Sequence, residues 1–166
     1  MMLLKHWRAL ATEAKHVSFT VAKFFGLLHV TDSYLCSCTL VHGPSMLPTF
    51  NCSGDVVLAE HFSHRLGKVA HGDVVLVRSP DDPKRMVAKR VLGLEGDEVT
   101  SSFDPQRIVQ HDRIVVPKGH VWIQGDNTYA SLDSRSYGPV PYGLIQGRVF
   151  FRVWPPDGFG LVNDRA

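Results

Sequence analysis

Apolar and polar residues change rhythm partway along this chain. Residues 24–41 (FFGLLHVTDSYLCSCTLV) form a nearly continuous apolar run, about the length a bilayer span requires. Ahead of it, residues 1–16 set Lys5, Arg8 and Lys15 against Glu13 and read as a short basic helix, with no small-residue cleavage pattern of a removable secretory signal. The pattern predicts a basic segment over 1–16 and a membrane-anchor or docking helix over 17–41. Asp32, near the middle of the run with His29 close by, weakens a simple span. An acidic residue at a span's centre costs roughly 2.5–3.5 kcal/mol, and each Leu, Phe or Val returns about 0.3–0.6. Phe24, Phe25, Leu27, Leu28, Val30, Leu35, Leu40 and Val41 therefore roughly cancel one Asp. A helix packed on the domain or on a partner stays open beside the anchor. If the run does span, the basic residues keep the N-terminus on the side where chains are made.

After His42 the rhythm becomes short apolar runs cut by Gly, Pro and Asp. Strands are expected at 55–60, 73–78, 86–94, 113–116, 120–125 and 147–155. Such spacing predicts a mainly β fold, an antiparallel, barrel-like sheet over residues 42–158 with one N-terminal apolar helix and a frayed tail at 159–166. The pentapeptide GDVVL occurs at 54–58 and again at 72–76, two similar turn-to-strand passages rather than a solenoid.

Composition narrows the class. A chain of 166 residues buries a real core without disulfides or metal. Hydrophobic residues at 44% and charged residues at 20% exclude wholesale disorder, a fibrous repeat and a many-span membrane protein. Eighteen Lys+Arg against sixteen Asp+Glu leave a net charge of +2, too balanced for an electrostatic nucleic-acid binder. Three cysteines cannot close in pairs, so Cys36, Cys38 and Cys52 read as small apolar fillers.

Three segments carry candidate chemistry. In HGPSMLPTF, residues 42–50, Gly43, Pro44 and Pro48 forbid a helix and display Ser45 at a rigid corner, as a nucleophilic hydroxyl is displayed. In VAKRVLGLEGDEV, residues 87–99, Lys89 shares a strand face with Val87 and Val91. Desolvation there lowers an amine's pKa toward the range of a usable base; alternatively the side chain reaches out to water, with Arg90 its neighbour on the other face. The third segment, residues 125–148, holds Asp126, Asn127, Ser131, Asp133 and Arg135, enough donors and acceptors for a buried polar network or for a self-bonded loop.

Together the three segments resemble the type I signal peptidase family, over roughly residues 42–156. Ser45-Met46-x-Pro48-Thr49 is similar to the family's nucleophile box, Lys89-Arg90-Val91 with Gly93 and Gly96-Asp97 to its general-base box, and Gly125-Asp126-Asn127 with Ser131-x-Asp133-Ser134-Arg135 and Gly138 to its third box. Within the family the chain looks most like the mitochondrial inner membrane branch. SPDDPK at 79–84 and the segment 138–156 resemble that branch's catalytic subunit 1, and subunit 2 tends to carry Asn where Arg135 stands.

The resemblance implies a signal-peptidase catalytic domain in which Ser45 is the nucleophile and Lys89 the general base of an acyl-enzyme route, with no cofactor and no metal. Ser131 would hold the lysine amine. Asp133 and Arg135 would pair behind the site, and Asp126 and Asn127 would brace the loop. The Ser45 N–H is the first expected oxyanion donor. Some bacterial relatives supply a second from a serine two residues earlier; Gly43 stands there, so its backbone N–H is the expected substitute. The implied partners are precursor proteins with cleavable sorting peptides, the sister subunit 2 and the inner membrane, with the catalytic domain facing the intermembrane space. Other readings are a subunit 2 type peptidase, a metal site at His61 and His64, a Ser-His hydrolase using His42, and a tethered β binding module. Glu60 lies outside the His61–His64 pair, unlike a zinc-protease helix, and no helix-turn-helix precedes the β domain as in a self-cleaving repressor.

Overall fold

The computed structural model describes residues 2–101 and 112–162, without the side chains of 2–6, 8, 9, 101 and 112. Ala9, Ala11, Ala14 and the straight-chain Lys, Leu and Glu residues favour a helix, and α1 runs unbroken over Met2–Val30. The expected division at residue 16 does not exist. A π-turn, Thr31–Leu35, loosens the helix end, and the chain then enters β1, Cys36–His42. The expected helix over 17–41 is thus corrected over residues 36–41, which are strand. In CSCTLV the side chains alternate, Ser37, Thr39 and Val41 to one face and Cys36, Cys38 and Leu40 to the other. That period of two suits a strand, and Val41 plugs the core. Summed hydropathy over the run is blind to this change of period. Among the described residues no helix is long and apolar enough to cross a membrane.

The six expected strands all form: β2 Ser53–Glu60, β3 Val74–Arg78, β4 Met86–Gly93, β6 Asp112–Val115, β7 His120–Gln124 and β9 Ile145–Trp154. Four more join them, namely β1, β5 Glu98–Ser101, β8 Val140–Pro141 and β10 Gly160–Leu161. One antiparallel sheet takes the order β1-β2-β9-β3-β4-β7-β8, with β10 on β9, and β5 and β6 form a separate hairpin. β10 corrects the expected tail, because Gly160 and Leu161 pair with Arg152 and Phe151. The remainder of that tail, 163–166, lies outside the described residues.

β3 is buried on both faces, which places it at the centre of the fold. Val74 and Leu76 pack with Val41, Met46, Phe50, Val57 and Val149, while Val75 and Val77 pack on the other side with Val91, Val121, Ile123 and Ile145. The two GDVVL copies do make equivalent passages. Asp55 of the first accepts the Asn51 N–H and faces Arg152; Asp73 of the second accepts the Ala70 N–H and faces Arg148. The cysteines are not core fillers: Cys38 and Cys52 are exposed and Cys36 is half-buried, because β1 is a terminal strand whose outer face nothing covers among the described residues.

From residue 10 on, every described α1 side chain is exposed, whereas β1 supplies Val41 to the core. Removing residues 1–30 should therefore leave a cooperative thermal transition, followed by circular dichroism, within a few degrees of that of the full chain. Removing residues 1–41 strips an edge strand and opens the core at Val57. That protein should melt far lower or without cooperativity.

Candidate active site

A chain bend presents Ser45. The register slips between Val41 and His42, and Gly43 turns with φ 104°, a conformation that disfavours a Cβ. Pro44–Met46 then form a single 3-10 turn, closed by Leu47 N–H to the Pro44 carbonyl at 3.2 Å. Met46 and Phe50 anchor the turn in the core on one side. On the other, half-buried Ser45 lines a cleft of about 450 Å³ with Lys89, Arg85, Val87, Ala130 and Leu132. The Gly43 N–H donates to the Cys52 carbonyl at 2.8 Å. Gly43 is therefore not the expected oxyanion donor; the bulge that makes the corner consumes its only donor. The Ser45 N–H belongs to the first residues of a helical turn, which have no acceptor within their own turn.

Lys89 does not reach out to water. It is 2% exposed, and its Nζ donates to Ser131 Oγ at 2.6 Å. Ser131 Oγ in turn donates to Asp133 Oδ2 at 2.6 Å. Burial pushes the Lys89 pKa down, the Asp133 charge pulls it back up, and Arg135 and Arg85 press it down again, for a net lowering. Asp133 is fully buried and also accepts the Gly125 N–H at 2.9 Å and the Arg135 Nε and Nη2 groups at 2.8 and 2.7 Å. Burial alone would raise its pKa; the bonds from Arg135, Ser131 and Gly125 outweigh burial and hold it below the usual carboxylate value. Asp133 also caps the short helix α2, Ser134–Tyr137, and Ser134 Oγ accepts the Ile123 N–H at 3.0 Å, fastening this loop to β7.

The other expected residues converge on the same place. Asn127 N–H donates to the Ser45 carbonyl at 3.0 Å. Asp126 takes a bidentate pair from Arg90, both bonds at 2.8 Å, and the Thr49 hydroxyl as well. Arg90 adds a bond to the Gly72 carbonyl at 2.7 Å. From the residues alone Arg90 reads as a bystander, and Thr49 and Gly125 enter only as members of the resembled boxes, with no role of their own. Adjacent charges on an otherwise apolar strand were the available signal, since β4 buries both faces and so needs a partner for each. For Gly125 the resembled box was the signal: a Cβ there would overlap the Ser45 carbonyl oxygen and Ser131 Oγ, a close approach made only by the fold.

His61 has both ring nitrogens engaged, Nδ1 with the Gln146 carbonyl at 2.7 Å and Nε2 with Ser37 Oγ at 2.9 Å. Among the described residues no group of three or more side chains is placed to hold a metal ion. His42 lines the cleft but stands exposed.

A serine and a buried lysine of lowered pKa on one cleft, with an ordering hydroxyl and carboxylate behind them, are the arrangement of a peptidase of the serine–lysine type. The chain belongs to the signal peptidase, peptidase S26 family, whose profile matches residues 14–107 and 100–154. It is 65% identical to mitochondrial ATP-independent inner membrane protease subunit 1a of Arabidopsis thaliana, over 96% of this chain and 95% of that protein. Identity is 42% with the human mitochondrial inner membrane protease subunit 1, over 89% and 86%. With the Danio rerio subunit 2 it is 40%, over 82% and 76%. The chain is thus a serine endopeptidase of the signal-peptide-removing kind, with more in common with these subunit 1 proteins than with that subunit 2.

Two substitutions test the geometry. Gly125→Ala should fold with a loss of about 1–3 kcal/mol and lower turnover more than tenfold, as overpacking against a backbone carbonyl shifts Ser45 and Ser131 together. Asp133→Asn should lower stability by about 3–5 kcal/mol, since Arg135 is left buried without its anion, and lower activity with it. The pH dependence has a definite sign. A carboxyl whose folded pKa lies below its unfolded value stabilises above that unfolded value and loses this as pH falls through the folded one. The gap in Tm between wild type and Asp133→Asn should therefore close on acidification below the ordinary aspartate range.

Proposed function

We propose that this chain removes sorting peptides from precursor proteins at the mitochondrial inner membrane, with Ser45 as nucleophile and Lys89 as general base. The observation that carries the reading is the Lys89 amine, buried, held by Ser131 and lining one cleft with Ser45. A neutral amine bonded through a proton to Ser131 Oγ keeps its lone pair free for the Ser45 proton. As Ser45 Oγ attacks the scissile carbonyl, Lys89 takes that proton and passes it to the departing amine. It then takes one from the water that hydrolyses the acyl-enzyme. The Ser45 N–H stabilises the tetrahedral oxygen, a donor of the kind worth about 2.7–4 kcal/mol where one has been removed. Asp126 and Asn127 hold the nucleophile loop against the third segment, and the Asp133–Arg135 pair holds Ser131.

The relatives named above support the location at the inner membrane. The catalytic domain faces the intermembrane space, and α1 docks against a partner helix of the sister subunit 2. Trp7, Leu10, Val17, Val21, Phe24 and Leu28 support this, spaced by threes, fours and sevens and all exposed. A tethered, non-catalytic module would have no use for a buried amine that folding must desolvate.

Purified protein, with and without the sister subunit, incubated with inner-membrane precursors should yield new N-termini by mass spectrometry. Ser45→Ala and Lys89→Arg should both abolish them, because arginine keeps the charge but never sheds its proton. Wild-type kcat/KM should rise with pH through an apparent pKa below the ordinary lysine value, following the direction of the Lys89 shift. A Lys89→Arg enzyme retaining a substantial share of cleavage would transfer the base role elsewhere, with His42 first in line.

A further inference from the structure

β1 carries two thiols that the serine–lysine chemistry does not use. Alternation turns Ser37 and Thr39 toward a cavity shared with His61, whereas Cys36 and Cys38 face the opposite side of the sheet. Both thiols are free; Cys36 is half-buried and Cys38 exposed. Their Cα atoms stand two strand residues apart, about 6.6 Å. That is the outer limit of what a disulfide spans, so an unbent β1 keeps the pair as two thiols. A bridging cation fits the spacing better. Two metal–thiolate bonds of about 2.3 Å in line put the sulfurs about 4.6 Å apart. Rotation about χ1 reaches that separation from Cβ atoms on one face without moving the backbone.

The surroundings hold the number of ligands at two. Cys38 lies opposite Leu58, and Cys52 precedes Leu58 by six residues, about 20 Å of extended chain. Cys36 lies opposite Glu60, but that carboxylate already accepts the Phe62 and Ser63 N–H groups and the Arg148 guanidinium. Among the described residues no third His, Cys, Asp or Glu completes a cluster. Structural zinc and iron–sulfur clusters need four ligands. A pair of thiolates by itself suits a soft, closed-shell, monovalent ion, and among the first-row metals that is copper(I).

We propose that Cys36 and Cys38 form a two-coordinate copper(I) site on the outer face of β1, apart from the serine–lysine cleft. One Cu⁺ displaces one proton from each thiol, so a copper bis-thiolate forms, two protons leave and no oxidation state changes. Burial pushes the Cys36 thiol up, and Cys38, Glu60 and Asp32 act in the same direction. Its proton therefore resists displacement, and affinity for the metal climbs as pH rises.

The test titrates full-length protein, reduced and kept free of oxygen, with copper(I) bound to bicinchoninate, whose colour reports the metal it loses. Wild type should take one copper per chain, more tightly at higher pH. Cys36→Ser and Cys38→Ser should each weaken binding about a hundredfold, the advantage of two linked donors over one. Cys52→Ser should leave it unchanged, and thermal melts check that all three variants fold. X-ray absorption at the copper edge should show two sulfur neighbours and no nitrogen. Undiminished binding in the Cys36→Ser, Cys38→Ser double variant overturns the site. So does one copper per two chains, which would place the metal between copies, or zinc(II) displacing the copper at equal concentration.

Discussion

The carboxylate of Asp133 sets the direction of the hydrogen bonds that lead to Lys89. It is fully buried and ionised, and it accepts two bonds from the Arg135 guanidinium and one from the Arg135 backbone, one from the Gly125 backbone and one from Ser131. An anion so placed would cost several kcal/mol without those partners. With it charged, the Ser131 hydroxyl has one choice for its proton, and its remaining lone pairs face Lys89. In the proposed mechanism the amine, once neutral, donates to Ser131 and keeps its lone pair for Ser45. Reversing any bond in this chain would leave the lysine without a free pair.

The same carboxylate creates a tension that Arg135 resolves. A bare anion near Lys89 favours the ammonium, which is useless as a base, and its charge does pull the lysine pKa upward. Arg135, paired with Asp133 at 2.7 Å, opposes that field at Lys89 while holding the carboxylate in place. Burial is the largest influence, and the net effect lowers the lysine pKa. The pair thus orients Ser131 with less pull toward the ammonium than a lone aspartate would exert.

On the opposite face of β4, Arg90 performs a purely mechanical task. Its bonds to Asp126 and Gly72, and through Asp126 to Thr49, join the nucleophile loop, the β2–β3 connection and the third segment. Consecutive residues of one strand therefore serve chemistry and architecture on opposite faces. This works because β4 is covered on both sides and charge on either face must be matched. Gly125 sits where the two halves meet, and its missing side chain is the space into which the Ser45 carbonyl and the Ser131 hydroxyl fit.

The residue order by itself determined six of the described strands, the corner that presents Ser45, and the face that Lys89 shares with Val87 and Val91. These are local matters of alternation, proline and glycine, and they hold wherever the segments end up. For Ser131, Asp133 and Arg135 the spacing left a polar network and a self-bonded loop both open, and it was the family resemblance that grouped them. Only tertiary structure decided the rest. Cys36 to Val41 read as helix by summed hydropathy, yet the free edge of β2 made them a strand. Gly43 looked free to donate until the Cys52 carbonyl, nine residues on, took its N–H. Arg90, Thr49 and Gly125 owe their roles to contacts 36, 77 and about 80 residues away in the chain. Periodicity reports which side of an element faces inward; it carries no information about which distant segment will be waiting there.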